Sequence, residues 1–336
     1  MRWFLALVVL LGLIAAGAYE WEQASYYGAG PAAQNTTVII KSGTGLRGIS
    51  DQLAVAGVIR NANIFFWGVR LRRTTEKLKA GEYLIPAYAS EFDIVKLLES
   101  GKTVKHKVTA PEGRTSDMIA KIVNADPVLQ GPPVATPAEG TLLPETYLFQ
   151  RGDTRQQIIA RMTKDQEELV DRLWAERRPN LPFKTKEEAI TLASIVEKET
   201  ALPGERRHIA GVFINRLRTG MQIQSDPTII YGLTQGYPLG HGIRESELHR
   251  ATPYNTYIIP GLPPGPICNP GKDAIAAVLD PMDTKDLYFV ANGQGGHVFS
   301  ASVADQNRHV AELRERERIE KLNRLPVPVS TVPPLR

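Results

Sequence analysis

Of two glutamates two positions apart, Glu197 and Glu199, helical spacing turns one toward apolar surroundings in which a carboxyl can carry proton transfer. The pair closes a segment that opens with a capping box, Thr185-Lys186-Glu187-Glu188, in which Thr185 takes the Glu188 amide and the Glu188 carboxylate returns to the amide of Thr185. At about 100° per residue, Ala189, Leu192, Ala193, Ile195 and Val196 make one apolar stripe. With Leu192 at zero, Glu199 falls at about −20°, inside the stripe, Glu197 at about +140°, on its edge, and Lys198 at about −120°, outside. A carboxyl aimed into apolar surroundings near the carbonyl end of a helix is pushed toward its protonated form by desolvation and by the helix dipole. That moves it toward the range in which a glutamic acid donates a proton at neutral pH. The spacing leaves a second reading open, in which the helix ends after Val196 and Glu199 is solvated beside Lys198.

Further polar groups lie downstream. Pro203-Gly204 breaks the chain, and a helix over 205–218 follows, stopped by Gly220, with Ile209, Val212, Phe213 and Leu217 as its stripe and Asn215 and Arg216 on its flanks. Residues 221–224 alternate like a strand. Asp226-Pro227-Thr228 reads as a helix start with Asp226 as N-cap and Pro227 at the first helical position; a substrate contact explains Asp226 equally well. Tyr254-Asn255-Thr256-Tyr257 leads into the proline-rich loop 260–266, whose fixed φ values hold aromatic and amide groups in a stiff cleft wall or serve as a plain connector. Asn269-Pro270 repeats the cap-plus-proline start of a helix that runs to Leu279. Strands at 287–290 and 297–299 form a hairpin across Asn292-Gly293, and a charged helix over 303–324 precedes a proline-rich tail expected to be disordered.

The elements ahead of Thr185 set a frame. Residues 3–19 are uncharged, and a helix over them spans about 25 Å, just short of a hydrocarbon core. Arg2 precedes this run and Tyr19 and Trp21 flank its far end, as in a membrane anchor; Ala16-Gly17-Ala18 equally fits a cleaved signal peptide. On either reading the rest of the chain faces the far side of a bacterial inner membrane. Residues 24–36 read as linker. Residues 37–85 read strand, helix, helix, strand, followed by a helix over 91–99, a strand over 103–109, a helix over 116–124 and a flexible loop over 126–140.

Composition excludes other classes. The 336 residues are 43% hydrophobic and 23% charged, a globular balance enough for about two domains of ~150 residues. A net charge of +4, with no basic stripe interleaved with aromatics, gives no nucleic-acid partner. The single cysteine, Cys268, permits no intrachain disulfide, and six scattered histidines make no metal-binding spacing, so neither metal nor cofactor is expected.

Several segments appear together in order: Ala193-Ser-Ile-Val-Glu-Lys-Glu-Thr200, Val212-Phe-Ile-Asn-Arg-Leu217, Gln224-Ser-Asp-Pro-Thr228, Tyr254-Asn-Thr-Tyr257, Gly261-Leu-Pro-Pro-Gly-Pro-Ile267 and Gly295-Gly-His297. On these the chain resembles the endolytic murein transglycosylases, the MltG or YceG-like family, over nearly its whole length. Glu139-Gly-Thr-Leu-Leu-Pro-Glu-Thr-Tyr147 resembles a further family segment, with Leu143 where an aromatic is usual. The resemblance implies an α+β fold: a transmembrane anchor at 1–21, a linker at 22–36, a small βααβ LysM-like module at 37–105, a larger α+β catalytic domain at 106–324 and a disordered tail at 325–336. It implies that Glu199, the residue selected by periodicity, is the catalytic acid. Asn215, Gln224, Asp226, Thr228, Tyr254, Asn255, Tyr257 and Glu145 are then the expected substrate contacts.

The activity implied is non-hydrolytic cleavage of MurNAc-β-1,4-GlcNAc bonds inside nascent strands, leaving 1,6-anhydroMurNAc ends, by a single-pass inner-membrane enzyme with its N-terminus cytoplasmic and its catalytic part periplasmic. Expected partners are peptidoglycan glycan strands, the membrane, penicillin-binding synthases and division or elongation proteins. A non-catalytic, membrane-anchored glycan-binding scaffold is the alternative reading.

Overall fold

The structure, a computed structural model, describes residues 2–323; the tail expected at 325–336 lies outside the described residues. The chain is mixed α+β and divides into two compact units. The first holds the chain up to Val108 together with Pro127–Gly131 and Leu148–Thr154; the second holds Thr109–Asp126, Pro132–Tyr147 and everything from Arg155.

The first unit opens with α1 (Arg2–Tyr26), whose stretch Trp3–Tyr26 is apolar and long enough to cross a membrane. The helix runs past Tyr19, so residues 22–26, expected to begin the linker, are helical. The reason is tertiary: Tyr26 is 1% exposed, and the Arg72 guanidinium lies 4.0 Å from its ring centroid while donating to Glu22 Oε1 at 3.1 Å. β1 (Thr36–Ile40), α2 (Leu46–Val55), α3 (Ala62–Leu71) and β2 (Gly81–Ile85) follow, in the expected strand-helix-helix-strand order, and β1 pairs antiparallel with β2, Val38 opposite Tyr83.

α3 is started by Asn61, whose side chain accepts the Asn63 amide, and it meets α1 at Gly68, where an added Cβ would lie 2.5 Å from the Tyr26 ring. α4 (Glu91–Ser100), with a Ser90/Asp93 capping box, and β3 (His106–Thr109) complete the ordered elements up to Val108. Leu53, Phe65, Val69, Tyr83, Ile94 and Leu98 are the center of the core. Residues 148–154, expected in the following domain, return to this unit because Glu82 accepts from Arg151 Nε at 2.8 Å and Gln150 accepts from Thr103 at 2.5 Å.

The second unit contains α5 (Ser116–Ala125), then β4 (Thr146–Phe149) at the passage between units, α6 (Arg155–Ala175), α7 (Lys186–Glu199), α8 (Pro203–Thr219), α9 (Asp226–Thr234), α10 (Glu245–Leu248), α11 (Lys272–Leu279), the antiparallel hairpin of β5 (Tyr288–Ala291) and β6 (His297–Ser300), and α12 (Val303–Asn323). α7, α8 and α11 form its core, with Leu192, Val196, Ile209, Phe213, Ile275 and Val278 almost wholly buried. Each such burial contributes roughly 1.5–3 kcal/mol, enough to hold a polar group among them.

Three local expectations change. Residues 221–224 are not a strand: Gln224 takes φ 52° and donates its amide to the Thr256 carbonyl at 3.1 Å. α11 begins at Lys272 rather than after Asn269, because the Asn269 side chain is spent elsewhere, accepting the Leu142 amide at 2.9 Å and donating to Arg114 and Ser116. The 126–140 stretch is irregular, but it is pinned: Asn124 exchanges two hydrogen bonds with Val134, and Glu139 accepts the Ser116 amide at 2.8 Å.

Candidate active site

The capping box of α7 forms as its sequence requires, the Glu188 amide donating to Thr185 Oγ1 and the Thr185 amide to Glu188 Oε2, both at 3.2 Å. The helix then runs unbroken to Glu199, and Thr200, at φ −144°, ends it. It does not stop after Val196. Ala189, Leu192, Ala193, Ile195 and Val196 are all at most 1% exposed, so Glu199 closes a fully buried stripe.

The Glu199 carboxyl faces a cavity of about 330 Å³ lined also by Arg216, Gln224, Asp226, Tyr257, Phe289, Val290, Ala291 and His297. Burial raises its pKa most; the Ser225 hydroxyl, which donates to Oε1, pulls it down, the Asp226 charge raises it, and His297 and Arg216 lower it, leaving it at about 7. This carboxyl therefore exchanges its proton at neutral pH.

The surrounding groups are held in place. Arg216 donates Nε to the Leu287 carbonyl and Nη1 to the Ile223 carbonyl, each at 2.6 Å, so a buried cation borders the cavity without pairing directly with Glu199. His297 Nδ1 lies 2.7 Å from Glu205 Oε2, and its amide donates to Glu205 Oε1 at 2.8 Å. Burial alone would raise the Glu205 carboxyl, but these bonds outweigh it and hold Glu205 below the usual range. Tyr257 donates its hydroxyl to Asp226 at 2.7 Å; burial and that carboxylate push the phenol up and keep it a donor.

Glu197, at the edge of the stripe, is sheltered in a different direction. It accepts the Gly271 amide at 2.9 Å and lies 3.9 Å from Arg206.

Of the expected contacts, Gln224, Asp226 and Tyr257 line the cavity with Glu199. The others lie outside its lining. Asn215 spends its amide on the Thr284 and Asp286 carbonyls, and Asn255 spends its own on those of Leu248 and Arg250. Thr228 is buried, bonded to Ser225 and Thr256; Tyr254 packs on Tyr231 with ring centroids 4.7 Å apart; Glu145 is exposed. These buried groups position the cavity's walls: Thr256, paired with Thr228, accepts the amides of both Gln224 and Ser225.

Asp226 is not the N-cap of α9. Ser225 takes that position, and its hydroxyl serves Glu199 instead of the helix. Arg216 and His297, which line the cavity, and Ser225, which donates to Glu199 behind it, are the polar residues that the spacing arguments do not reach. An arginine within the buried face of α8 is the one local signal among them.

An α+β scaffold that carries a glutamic acid of near-neutral pKa at the end of a buried helix defines the class. Within it, the chain belongs to the YceG-like family, whose model matches residues 38–312. It is 31% identical over 361 residues to an endolytic murein transglycosylase of Streptococcus pneumoniae, covering 92% of this chain and 64% of that one. It is 36% identical over 173 residues to an endolytic murein transglycosylase of Bacillus subtilis, covering 51% of this chain and 47% of that one. The chain thus spans 64% or less of the length of these relatives. A crystal structure of a putative YceG-like protein from Listeria monocytogenes matches it with a TM-score of 0.52 at 31% identity, over 82% of this chain and 98% of that one.

Proposed function

We propose that this chain cuts peptidoglycan glycan strands as a lytic transglycosylase, with Glu199 serving in turn as acid and base. The observation that carries the reading is a single carboxyl with a pKa of about 7, hydrogen-bonded to a serine and facing a polar cavity. Family membership, and the naming of relatives as endolytic murein transglycosylases, support it.

In the proposed reaction the protonated Glu199 gives its proton to the oxygen of a MurNAc-β-1,4-GlcNAc bond as C1–O breaks, and the GlcNAc leaves with a free 4-hydroxyl. The MurNAc C6 oxygen bonds to C1 while its proton passes to the Glu199 carboxylate. The products are a 1,6-anhydroMurNAc end and a protonated Glu199 ready for the next turn. Most glycosidases need two carboxylates. Here the sugar's own hydroxyl replaces the nucleophile, and a well-oriented intramolecular group acts at an effective concentration on the order of 10⁵ M or more.

A side chain with an ordinary carboxylate pKa would be unprotonated at the start of this cycle; one near 7 can both give and recover a proton. The negative Asp226 suits positive charge developing on the sugar ring, and Gln224, Tyr257, Arg216 and His297 supply polar groups for sugar oxygens.

The proposal extends to placement. α1 anchors the chain in a bacterial inner membrane with its N-terminus cytoplasmic, the first unit's βααβ portion acts as a LysM-like glycan-binding module, and cleavage within nascent strands ends their elongation beside penicillin-binding synthases.

The test is product analysis after incubating the full chain with purified glycan strands. New anhydro ends that vanish in Glu199→Gln are expected. Binding without new ends supports the scaffold alternative, and reducing ends carrying oxygen from water support a hydrolase; either result overturns the reading.

A further inference from the structure

α3 carries two apolar stripes, and the first unit buries only one of them. Phe65 and Val69 are fully buried in its core, whereas Ile64, Trp67 and Leu71, at i, i+3 and i+7, form a second stripe on which Trp67 is 55% and Leu71 73% exposed. Trp67 and Leu71 line a cavity of about 330 Å³ together with Trp21 and Tyr26 of α1. Arg70, Arg73, Lys77 and Lys79 are exposed on and just after α3, against the single exposed acid Glu76 in that stretch. An exposed apolar stripe bordered by basic side chains has the composition of a face that lies in a bilayer's headgroup layer.

The geometry of α1 sets the depth. A hydrocarbon core of about 30 Å takes about 20 helical residues, so a span starting at Trp3 leaves the core near Glu22. Trp21 then sits at the outer boundary, where tryptophan is favoured. Trp67 and Leu71 border the same cavity as Trp21, which puts them at that level too. The helix pair is locked there by the close approach of Gly68 to the Tyr26 ring and by Arg72, which bonds both Glu22 and Tyr27.

We propose that the Trp67/Leu71 face of α3 docks on the headgroup layer of an anionic phospholipid membrane, so that the first unit rests on the bilayer at a fixed height and orientation. This rests on the reading of α1 as a membrane span. Docking removes one face of the unit from contact with any glycan.

The test places a nitroxide on the full chain at Leu71→Cys, reconstituted in vesicles of phosphatidylethanolamine and phosphatidylglycerol. Cys268, 1% exposed, stays unlabelled. Collisions with oxygen, which partitions into lipid, are compared with collisions with a water-soluble nickel chelate. The expected oxygen-to-nickel ratio at Leu71 is several-fold higher than at Val55→Cys, a site 90% exposed on α2, and it falls in the Arg70→Glu/Arg73→Glu background. Equal ratios at positions 71 and 55 overturn the proposal, and a label at Ile14→Cys tells how. If position 14 reports lipid, α1 spans but the face is free in water; if position 14 also reports water, the anchor reading falls as well.

Discussion

Among the glutamates of the second unit that burial pushes above the ordinary carboxylate range, Glu139 and Glu199 have surroundings that differ in kind. Glu139 accepts from the Ser116 amide at 2.8 Å, from Asn269 Nδ2 at 3.2 Å and from the Tyr231 hydroxyl at 3.3 Å. Glu199 accepts from the Ser225 hydroxyl and otherwise faces the cavity. Cavity size does not separate them, since Glu139 borders the larger space, about 470 Å³ against about 330 Å³. Nor does the direction of the shift, which burial raises in both. The difference lies in how many donors each carboxyl has. A carboxylate held by three donors stitches α5, α9 and the loop before α11 together, and moving a proton onto it breaks structure. One held by a single hydroxyl can change protonation state at small structural cost.

Replacing each acid in turn is the sharpest way to break this contrast. Glu199→Gln is expected to lower formation of anhydro ends by roughly 10²–10⁴-fold, read by chromatography of the released muropeptides, with the fold intact by circular dichroism. Glu139→Gln is expected to do the reverse. An amide nitrogen turned toward the Ser116, Asn269 or Tyr231 donors destabilises the chain by about 1–3 kcal/mol in urea unfolding, while activity per folded molecule stays within a few-fold of the parent. Equal losses of activity in both variants would erase the distinction.

Stability against pH gives the next largest effect. The folded-state pKa of Glu199 is raised from 4.5 to about 7, so the folded chain keeps a proton that the unfolded chain has lost. The associated stability is fully present below about pH 4.5 and is lost as pH rises through about 7. Glu199→Gln cannot ionise and loses nothing over that window. It should match the parent near pH 4 and exceed it at pH 8 by on the order of 3 kcal/mol, measured by denaturant unfolding at the two pH values.

The smallest effects come from the neighbours of Glu199, and they have opposite signs. Ser225 donates to the carboxyl and lowers its pKa, so Ser225→Ala should move the alkaline limb of the pH–rate profile upward; Asp226 raises it, so Asp226→Asn should move that limb downward. Shifts in the same direction would mean that another group sets the limb.

The contrast also marks what the amino-acid order conveys. Glu199 is legible because its position is set by one continuous helix: Thr185 and Glu188 start α7, and five apolar residues at helical spacing fix which glutamate closes the stripe. The hairpin of β5 and β6 and the charged helix α12 are legible for the same reason, each being specified by neighbouring residues.

Side chains whose role depends on distant partners are not. Asn215 has the right type for a sugar contact, but it is claimed by the Thr284 carbonyl 69 residues further on. The extension of α1 to Tyr26 depends on Arg72, and the place of Ser225 at the head of α9 is decided by Glu199. Asp226 and Ser225 compete for one cap, and sequence alone cannot choose between them when Pro227 is compatible with either.

The central claim is the protonation state of one carboxyl. The most direct measurement is a ¹³C NMR titration of glutamate side chains in the full chain, with the Glu199 resonance assigned by its loss in Glu199→Gln. The account predicts a midpoint near 7. A midpoint at the ordinary value of 4.5 would contradict it, leaving the cavity without a proton donor at neutral pH.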